Sequence, residues 1–127
     1  MRTQLKLELL EDTFAIHRFS SIRSIPEEVF KEALFGLVKT DEGLSIACRD
    51  SLDLSREQCH RSWSCIKISG PLEPDAIGIL ASLSKVLANA RISIFVLSTY
   101  DTDYILIPAE KSPEAIAALK AADFKYI

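Results

Sequence analysis

The sequence predicts an α+β protein in which antiparallel sheets pack on helices and the order βαββαβ occurs twice. In the second half of the chain, apolar residues alternate between a period of about two and a period of about 3.6, which indicates strands and helices in turn. The first half shows a shorter version of the same order of elements. The 127 residues are 48% hydrophobic and 26% charged, which is typical of a globular protein with a packed core.

The second half, residues 61–127, is predicted to contain strand, helix, strand, strand, helix and strand. Runs rich in apolar, β-branched and aromatic residues predict its strands at 63–69, 92–98, 104–107 and 124–127. The first helix is expected to open near Asp75, because an apolar stripe follows at three- and four-residue steps through Ala76, Ile79, Leu80, Leu83, Val86, Leu87 and Ala90. The second helix is expected to start with Ser112 as its N-cap and Pro113 in its first turn.

The first half, residues 1–60, is interpreted as a degenerate copy from the order of its elements and not from residue identity. Its strands are predicted at residues 5–10, 14–19, 35–40 and 44–49, and its short helix at 26–33. The last two strands form a hairpin closed around Asp41-Glu42-Gly43. Residues 51–60 are polar and charged, so the boundary between the halves is placed there.

Two βαββαβ halves define a ferredoxin-like architecture, in which right-handed crossovers place the third strand between the first and second. In the second half, this topology brings the loop after Gly70, the helix N-terminus and the turn from Ser98 to Asp103 to one end of the sheet. A helix N-terminus suits a carboxylate. The acidic residues of this end favour a cationic group: they are Glu73, Asp75, Asp101 and Asp103. A free amino acid carries both groups, and arginine is the first candidate.

The same residues also have a purely structural interpretation. Asp75 would then be only a helix cap, and residues 99–103 only a solvated hairpin turn. Asp101 and Asp103 have the chemistry of Ca²⁺ ligands, but the turn lacks the further oxygen donors of a full cage. We therefore predict no metal at this turn.

Residues 63–127 resemble the ACT domain, a ferredoxin-like module that binds amino acids in many metabolic regulators. The resemblance rests on Asp75-Ala-Ile-Gly-Ile-Leu-Ala as the helix opening and on Ala90-Arg-Ile-Ser-Ile as the entry into the next strand. The run from Ile94 to Pro108, Ile-Phe-Val-Leu-Ser-Thr-Tyr-Asp-Thr-Asp-Tyr-Ile-Leu-Ile-Pro, is similar to tandem-ACT proteins that include the animal cytosolic arginine sensors and short bacterial relatives.

This resemblance implies a chain of two ACT domains with the amino acid held between two ACT units. It implies contacts to the ligand from Gly70, Pro71, Leu72, Asp75, Ser98, Thr99, Tyr100 and Asp103. The first half departs from the family pattern, because its helix is short and residues 19–25 lack an ACT-like glycine. No ligand site is therefore assigned to the first half.

Charge, cysteine content and motifs argue against several other classes. A net charge of -3 and a pI near 5.4 give no basic field for nucleic acid. No run approaches the roughly 20 apolar residues of a membrane span, and the N-terminus lacks a signal-peptide core, so we predict a cytoplasmic protein without membrane contact. Cys48, Cys59 and Cys65 lack disulfide or zinc spacing and are predicted as packing residues.

Catalysis is not predicted. His17 and His60 belong to no recognisable nucleophile motif, and the four glycines form no phosphate-binding loop, so we expect neither cofactor nor catalytic group. The sequence thus favours an allosteric regulatory domain that binds a free amino acid and forms a homodimer or other homo-oligomer. Two alternatives remain: a ligand-free ACT-like module that only assembles a protein complex, and an enzyme fragment or hydrolase on the same scaffold.

Overall fold

The structure is a computed structural model that describes residues 6–54, 58–69 and 78–126. Strands and helices alternate in the described part of the chain. In chain order they are β1 (Lys6–Phe19), α1 (Glu27–Phe30), β2 (Gly36–Thr40), β3 (Gly43–Arg49), β4 (Cys59–Ser69), α2 (Ile79–Asn89), β5 (Phe95–Ser98), β6 (Asp103–Pro108), α3 (Ser112–Ala121) and β7 (Lys125–Tyr126). Short 3₁₀ turns occupy Ile22–Ser24 and Ala109–Lys111.

The chain forms two compact units. The large unit consists of Met1–Glu11 and Ser64–Ile127, and the small unit consists of Asp12–Trp63. Strands β1 and β4 contribute residues to both units, because the unit boundaries fall within these strands. The predicted halves, 1–60 and 61–127, differ from these units mainly in the placement of the first eleven residues.

In the large unit, β6 lies between β4 and β5, which is the strand order predicted from the crossover rule. β5 and β6 pair antiparallel, in a register that runs from Phe95 opposite Leu106 to Ser98 opposite Asp103. β7 pairs parallel with the start of β1, where Lys6 lies opposite Lys125. The N-terminal strand therefore belongs to the sheet of the large unit.

The core of the large unit joins side chains from its sheet and from both long helices. Leu83 and Leu87 of α2 are fully buried, as are Ala115 and Leu119 of α3, so each helix buries one stripe at a four-residue step. They pack with Leu7, Ile66, Ile68, Ile92, Ile105, Ile107 and Phe124. Burying a leucine or isoleucine side chain stabilises the fold by about 1.5–3 kcal/mol. No described helix has the length and apolar character needed to cross a bilayer.

Both long helices begin differently from the prediction. α2 begins at Ile79, directly after Gly78, which adopts a left-handed conformation with φ of 85°, while Asp75, where the helix was expected to open, lies outside the described residues. Ser112 is the first residue of α3 and not its N-cap. The Ser112 hydroxyl instead donates to the Oγ atom of buried Ser64 at 2.9 Å, which ties the start of α3 to β4.

α2 ends in a left-handed cap, in which Arg91 has φ of 62°. The Ile92 N–H donates to the carbonyl oxygen of Leu87 at 2.9 Å, which satisfies one of the last helical acceptors. α3 ends in the same way, with Asp123 at φ of 71°. This cap extends the connection after α2, so β5 begins at Phe95 and not at residue 92 as predicted.

The small unit has an antiparallel sheet and one short α-helix, α1. β3 pairs with β1 and with β2, and the β2–β3 hairpin closes from Thr40 to Gly43 as predicted. β1 is one strand of 14 residues rather than the two predicted, and the polar residue Thr13 remains in it because its carbonyl accepts from Asp50 N–H at 2.8 Å. The core of this unit consists of Phe19, Ile25, Val29, Leu44, Ile46, Cys48 and Leu54.

The helix α1 is shorter than the predicted range 26–33. Val29 is its one buried residue, so no apolar stripe stabilises further turns. Beyond its end, Glu32 forms an ion pair with Arg49 of β3 at 3.0 Å. Within the described residues, the helical elements of the small unit are α1 and the 3₁₀ turn at Ile22–Ser24.

Candidate functional site

The predicted ligand contacts that the structure describes lie on the turn between β5 and β6. Ser98, the last residue of β5, lies opposite Asp103, the first residue of β6. Tyr100 is fully exposed at the tip, Ser98 is exposed, and Asp103 is half-buried. The structure therefore brings together Ser98, Thr99, Tyr100 and Asp103, whereas the other predicted contacts lie outside the described residues: Gly70, Pro71, Leu72 and Asp75.

Thr99 organises this turn from within. Its N–H and its hydroxyl both donate to the carbonyl oxygen of Thr102, at 2.8 and 3.0 Å. The Thr99 Oγ1 atom also accepts from the N–H groups of Asp101 at 3.1 Å and Thr102 at 3.0 Å. A hydroxyl has one donor and two acceptor positions, so the hydroxyl of Thr99 is fully engaged in fixing the backbone.

Thr102 connects the turn to β4. Its hydroxyl donates to the main-chain oxygen of Ile68, a buried residue two positions before Gly70. The turn is therefore held beside the end of β4, where the chain enters the predicted ligand loop. Sequence reasoning missed Thr102, because a hydroxyl between two acidic residues gives no sign that it binds a distant backbone carbonyl.

The turn carries negative charge that no described side chain neutralises. Asp101 is exposed and Asp103 is half-buried, and neither forms an ion pair within the described part of the chain. A carboxylate without an ion-pair partner makes a strong charge-assisted hydrogen bond to an added cation. The turn therefore has the electrostatic character expected for a cationic ligand group.

The N-terminus of α2 supplies backbone donors in the same unit. Gly78 precedes the helix and has no side chain, so it offers no side-chain cap to the N–H groups of the first turn. The helix has 11 residues, so its aligned peptide dipoles give a partial positive charge at this end. Backbone donors of this kind suit a carboxylate ligand.

The small unit contains an open cavity of about 480 Å³. Cys59 and His17 both line it, and the Cys59 Sγ atom lies 4.0 Å from the His17 Nε2 atom. Burial raises the pKa of the Cys59 thiol, and the neighbouring charge of Asp50 raises it further, against a lowering effect of Arg61. A catalytic thiol needs a lowered pKa. The pKa of Cys59 is thus shifted in the direction opposite to that of an activated cysteine.

All three cysteines are free thiols. Cys48 and Cys65 are fully buried, as predicted, and burial is the main cause that raises their pKa values to about 11 and about 12. Cys59 is half-exposed and lines the cavity, so its role as a packing residue stays a prediction. Across residues 6–54, 58–69 and 78–126, no three His, Cys, Asp or Glu side chains are grouped as metal ligands.

A family model described as the ACT domain matches residues 58–121, just over half of the chain. The chain therefore belongs to the ACT domain family. Its antiparallel sheet and helices form an ACT-type fold.

Solved structures resemble this chain over almost its full length. A protein from Agobacterium tumefaciens has a TM-score of 0.86 and 29% identity, over 98% of this chain and 92% of that one. A Vibrio cholerae protein of unknown function, described as a possible transport protein, has a TM-score of 0.76 and 21% identity, over 95% and 91%. The ligand-free regulatory subunit of aspartate kinase from Thermus thermophilus has a TM-score of 0.65 and 13% identity, over 91% and 95%.

Proposed function

We propose that this protein is a regulatory domain that binds a free amino acid, with arginine as the first candidate, and that it has no catalytic activity of its own. The observation that carries the proposal is the turn at residues 98–103, which the Thr102 hydroxyl ties to the end of β4. Membership of the ACT family and the likeness to a regulatory subunit support the same function.

Two opposite charges in the ligand match two features of the large unit. The α-carboxylate is expected to bind the backbone N–H groups at the start of α2, which lacks a side-chain cap from Gly78. The guanidinium of arginine is expected to bind Asp103, whose carboxylate has no ion-pair partner among the described residues. An amino acid with a neutral side chain satisfies only part of this arrangement.

The residues of the turn divide into two roles in this proposal. Ser98, Tyr100 and Asp103 face the ligand, whereas Thr99 and Thr102 hold the shape and position of the turn. The loop residues Gly70, Pro71, Leu72 and Asp75 complete the contacts implied by the family resemblance. That resemblance also implies an amino acid held between two ACT units, and this arrangement remains a prediction.

We further propose that both halves of the chain are ACT-type and that the protein acts as a cytoplasmic homo-oligomer. The small unit supports the first point, since it too combines an antiparallel sheet with a helix. Strands β2 and β5 end the order of hydrogen-bonded strands, so each offers an edge for pairing with a second copy. Sedimentation analysis of the purified chain tests the oligomeric state, and a strictly monomeric chain contradicts it.

A thermal-shift screen with the twenty amino acids tests the proposed function. A ligand at about 100 times its dissociation constant adds roughly 2.7 kcal/mol of stability, which raises the melting temperature by about 10 °C in a domain of this size. Citrulline removes the positive charge of arginine and agmatine removes its carboxylate, so both are expected to give much smaller shifts. If no amino acid raises the melting temperature at millimolar concentration, the ligand-free assembly module becomes the better explanation.

A further inference from the structure

We propose that the cavity of the small unit binds a small oxyanion, meaning a molecule that carries a carboxylate or phosphate group. This site is separate from the proposed amino acid site, because every residue that lines it belongs to the small unit. Its volume of about 480 Å³ lies within the range of roughly 300–1,000 Å³ found for small-molecule pockets. The proposal does not depend on the identity of the amino acid ligand.

Arg18 supplies the positive charge of the cavity. Its Nη2 atom donates to the backbone oxygen of Glu42 at 3.0 Å, and no carboxylate of the described residues lies within 4 Å of its guanidinium. The guanidinium lies beside Gly43, where an added Cβ would be in ordinary van der Waals contact with Nη2 at 3.5 Å. The guanidinium is therefore oriented by one hydrogen bond and retains further donors for an oxyanion.

The rest of the lining favours an anion and not a cation. Besides Arg18, the cavity is lined by the apolar residue Ile16 and by His17, Ser45, Gln58, Cys59 and His60, which provide imidazole, hydroxyl, amide and thiol groups. No aspartate or glutamate lines the cavity. A cavity whose lining holds one arginine without an ion-pair partner among the described residues, and no carboxylate, matches the recognition of carboxylate and phosphate groups.

Asp50, the acidic residue whose charge affects Cys59 in the cavity, already forms an ion pair with another residue. Asp50 influences the pKa of Cys59, but its Oδ1 atom forms an ion pair with Arg61 at 2.7 Å. Its Oδ2 atom accepts the N–H of Ser62 at 2.9 Å. Asp50 therefore neutralises Arg61, and the charge of Arg18 remains available to a ligand.

NMR titration of the full chain with inorganic phosphate, and separately with succinate, tests the site at an ionic strength held constant with sodium chloride. Saturable shifts are expected for the backbone amides of residues 16–18, 45 and 58–60, and no matching shifts for 98–103. Saturation by phosphate alone assigns a phosphate-bearing ligand, and saturation by succinate alone assigns a carboxylate. Either result supports an oxyanion site.

Two variants and a matched control connect the binding to Arg18. Arg18→Gln is expected to weaken binding of the saturating anion by about 10- to 150-fold, as for the loss of a charge-assisted hydrogen bond. Ser45→Asp keeps Arg18 but places a carboxylate opposite it on the neighbouring strand, so it is expected to block the anion as well. Arg23→Gln removes an exposed arginine of the same unit and is expected to leave the affinity unchanged.

Alkylation of Cys59 by iodoacetamide gives an independent measurement, because Cys59 lines the cavity while Cys48 and Cys65 are buried. The bound anion is expected to slow the reaction in the wild-type protein and not in Arg18→Gln. The proposal is overturned if neither anion gives saturable shifts, if sodium chloride alone produces the same shifts, or if Arg18→Gln and Ser45→Asp both bind like the wild type.

Discussion

The two units of the molecule differ in how far helices cover their sheets. In the large unit, α2 and α3 have 11 and 10 residues and bury leucines against the sheet. In the small unit, α1 has four residues, and three of the four exposed large hydrophobic residues in the described chain are found there: Ile22, Phe30 and Val38. The fourth is Tyr100, on the proposed ligand turn. The exposed apolar side chain of the large unit thus lies on the proposed ligand turn, whereas those of the small unit lie on a 3₁₀ turn, on α1 and on β2.

The ACT family model also distinguishes the two units. The ACT family model covers residues 58–121 and therefore matches mainly the large unit, whose two-helix core is complete. Most of the small unit lies outside the matched range, although the solved structures resemble the chain over more than nine-tenths of its length. The family model therefore does not extend over most of the small unit, which contains the cavity lined by Arg18.

The largest expected effect is the loss of stability when a core leucine of either unit is replaced by alanine. Leu87→Ala in the large unit is expected to lower the free energy of unfolding by about 3–5 kcal/mol, because it leaves a cavity beneath two helices. Leu44→Ala in the small unit is expected to cost about 2–3 kcal/mol, because a short helix can move to fill the space. Urea unfolding measures both, and an equal or larger loss at Leu44 contradicts the comparison.

The next effect concerns the bond between the turn and β4. Thr102→Val keeps the shape but leaves the backbone oxygen of buried Ile68 without its hydroxyl donor, which is expected to cost about 1–3 kcal/mol. The change should also weaken amino acid binding, since the turn loses its fixed position. Thr40→Val is a matched control, because the Thr40 hydroxyl accepts an N–H in an exposed hairpin of the small unit. Full ligand affinity in Thr102→Val would show that the turn holds its position without this bond.

The buried thiols predict a loss of stability at alkaline pH. Burial raises the pKa of Cys65 from 9.0 to about 12 in the folded large unit. The thiol therefore stabilises the folded state fully below pH 9, and this contribution is lost as the pH rises towards 12. Between pH 8 and 10, the wild type is expected to lose about 1 kcal/mol more stability than Cys65→Ala. If the free energy of unfolding of the two proteins depends on pH in the same way, the raised pKa of Cys65 is contradicted.

The smallest expected effect is at the cap of α2. Arg91 adopts a left-handed conformation that glycine tolerates better, so Arg91→Gly is expected to stabilise the large unit by about 0.5 kcal/mol. Lys85→Gly, at an exposed position inside the same helix, is expected to destabilise it by about 1 kcal/mol. Thermal unfolding of both variants checks the signs. Destabilisation by Arg91→Gly would mean that the Arg91 side chain contributes more than its strained backbone costs.

Periodicity predicted the elements that depend on local pattern. The stripe through Leu83 and Leu87 identified α2, and the residues Asp41-Glu42-Gly43 identified the hairpin, because both signals lie within a few consecutive residues. The continuity of β1 was not predictable in this way. Thr13 lies in a polar stretch that looks like a loop, and it remains in the strand because it pairs with Asp50, far along the chain.

The candidate sites were predictable only where their residues are close in sequence. Ser98, Tyr100 and Asp103 stand on one turn, so their proximity followed from the hairpin. The role of Thr102 depends on a hydrogen bond to the carbonyl of Ile68, which is distant in sequence. The left-handed backbone conformation of Gly78, directly before α2, could not be predicted from the sequence either. The small-unit cavity combines three separate strands, and no sequence motif indicated it.

Calorimetric titration of arginine into the wild type and Asp103→Asn tests amino acid binding at the turn most directly. The substitution keeps the shape of the side chain and removes its charge, so affinity is expected to fall by about 10- to 150-fold, the value of one charge-assisted hydrogen bond. The melting temperature without ligand should change little, and Asp41→Asn, on an exposed hairpin turn of the small unit, should bind like the wild type. Unchanged affinity in Asp103→Asn together with a lower melting temperature would show a structural turn and contradict the proposed site.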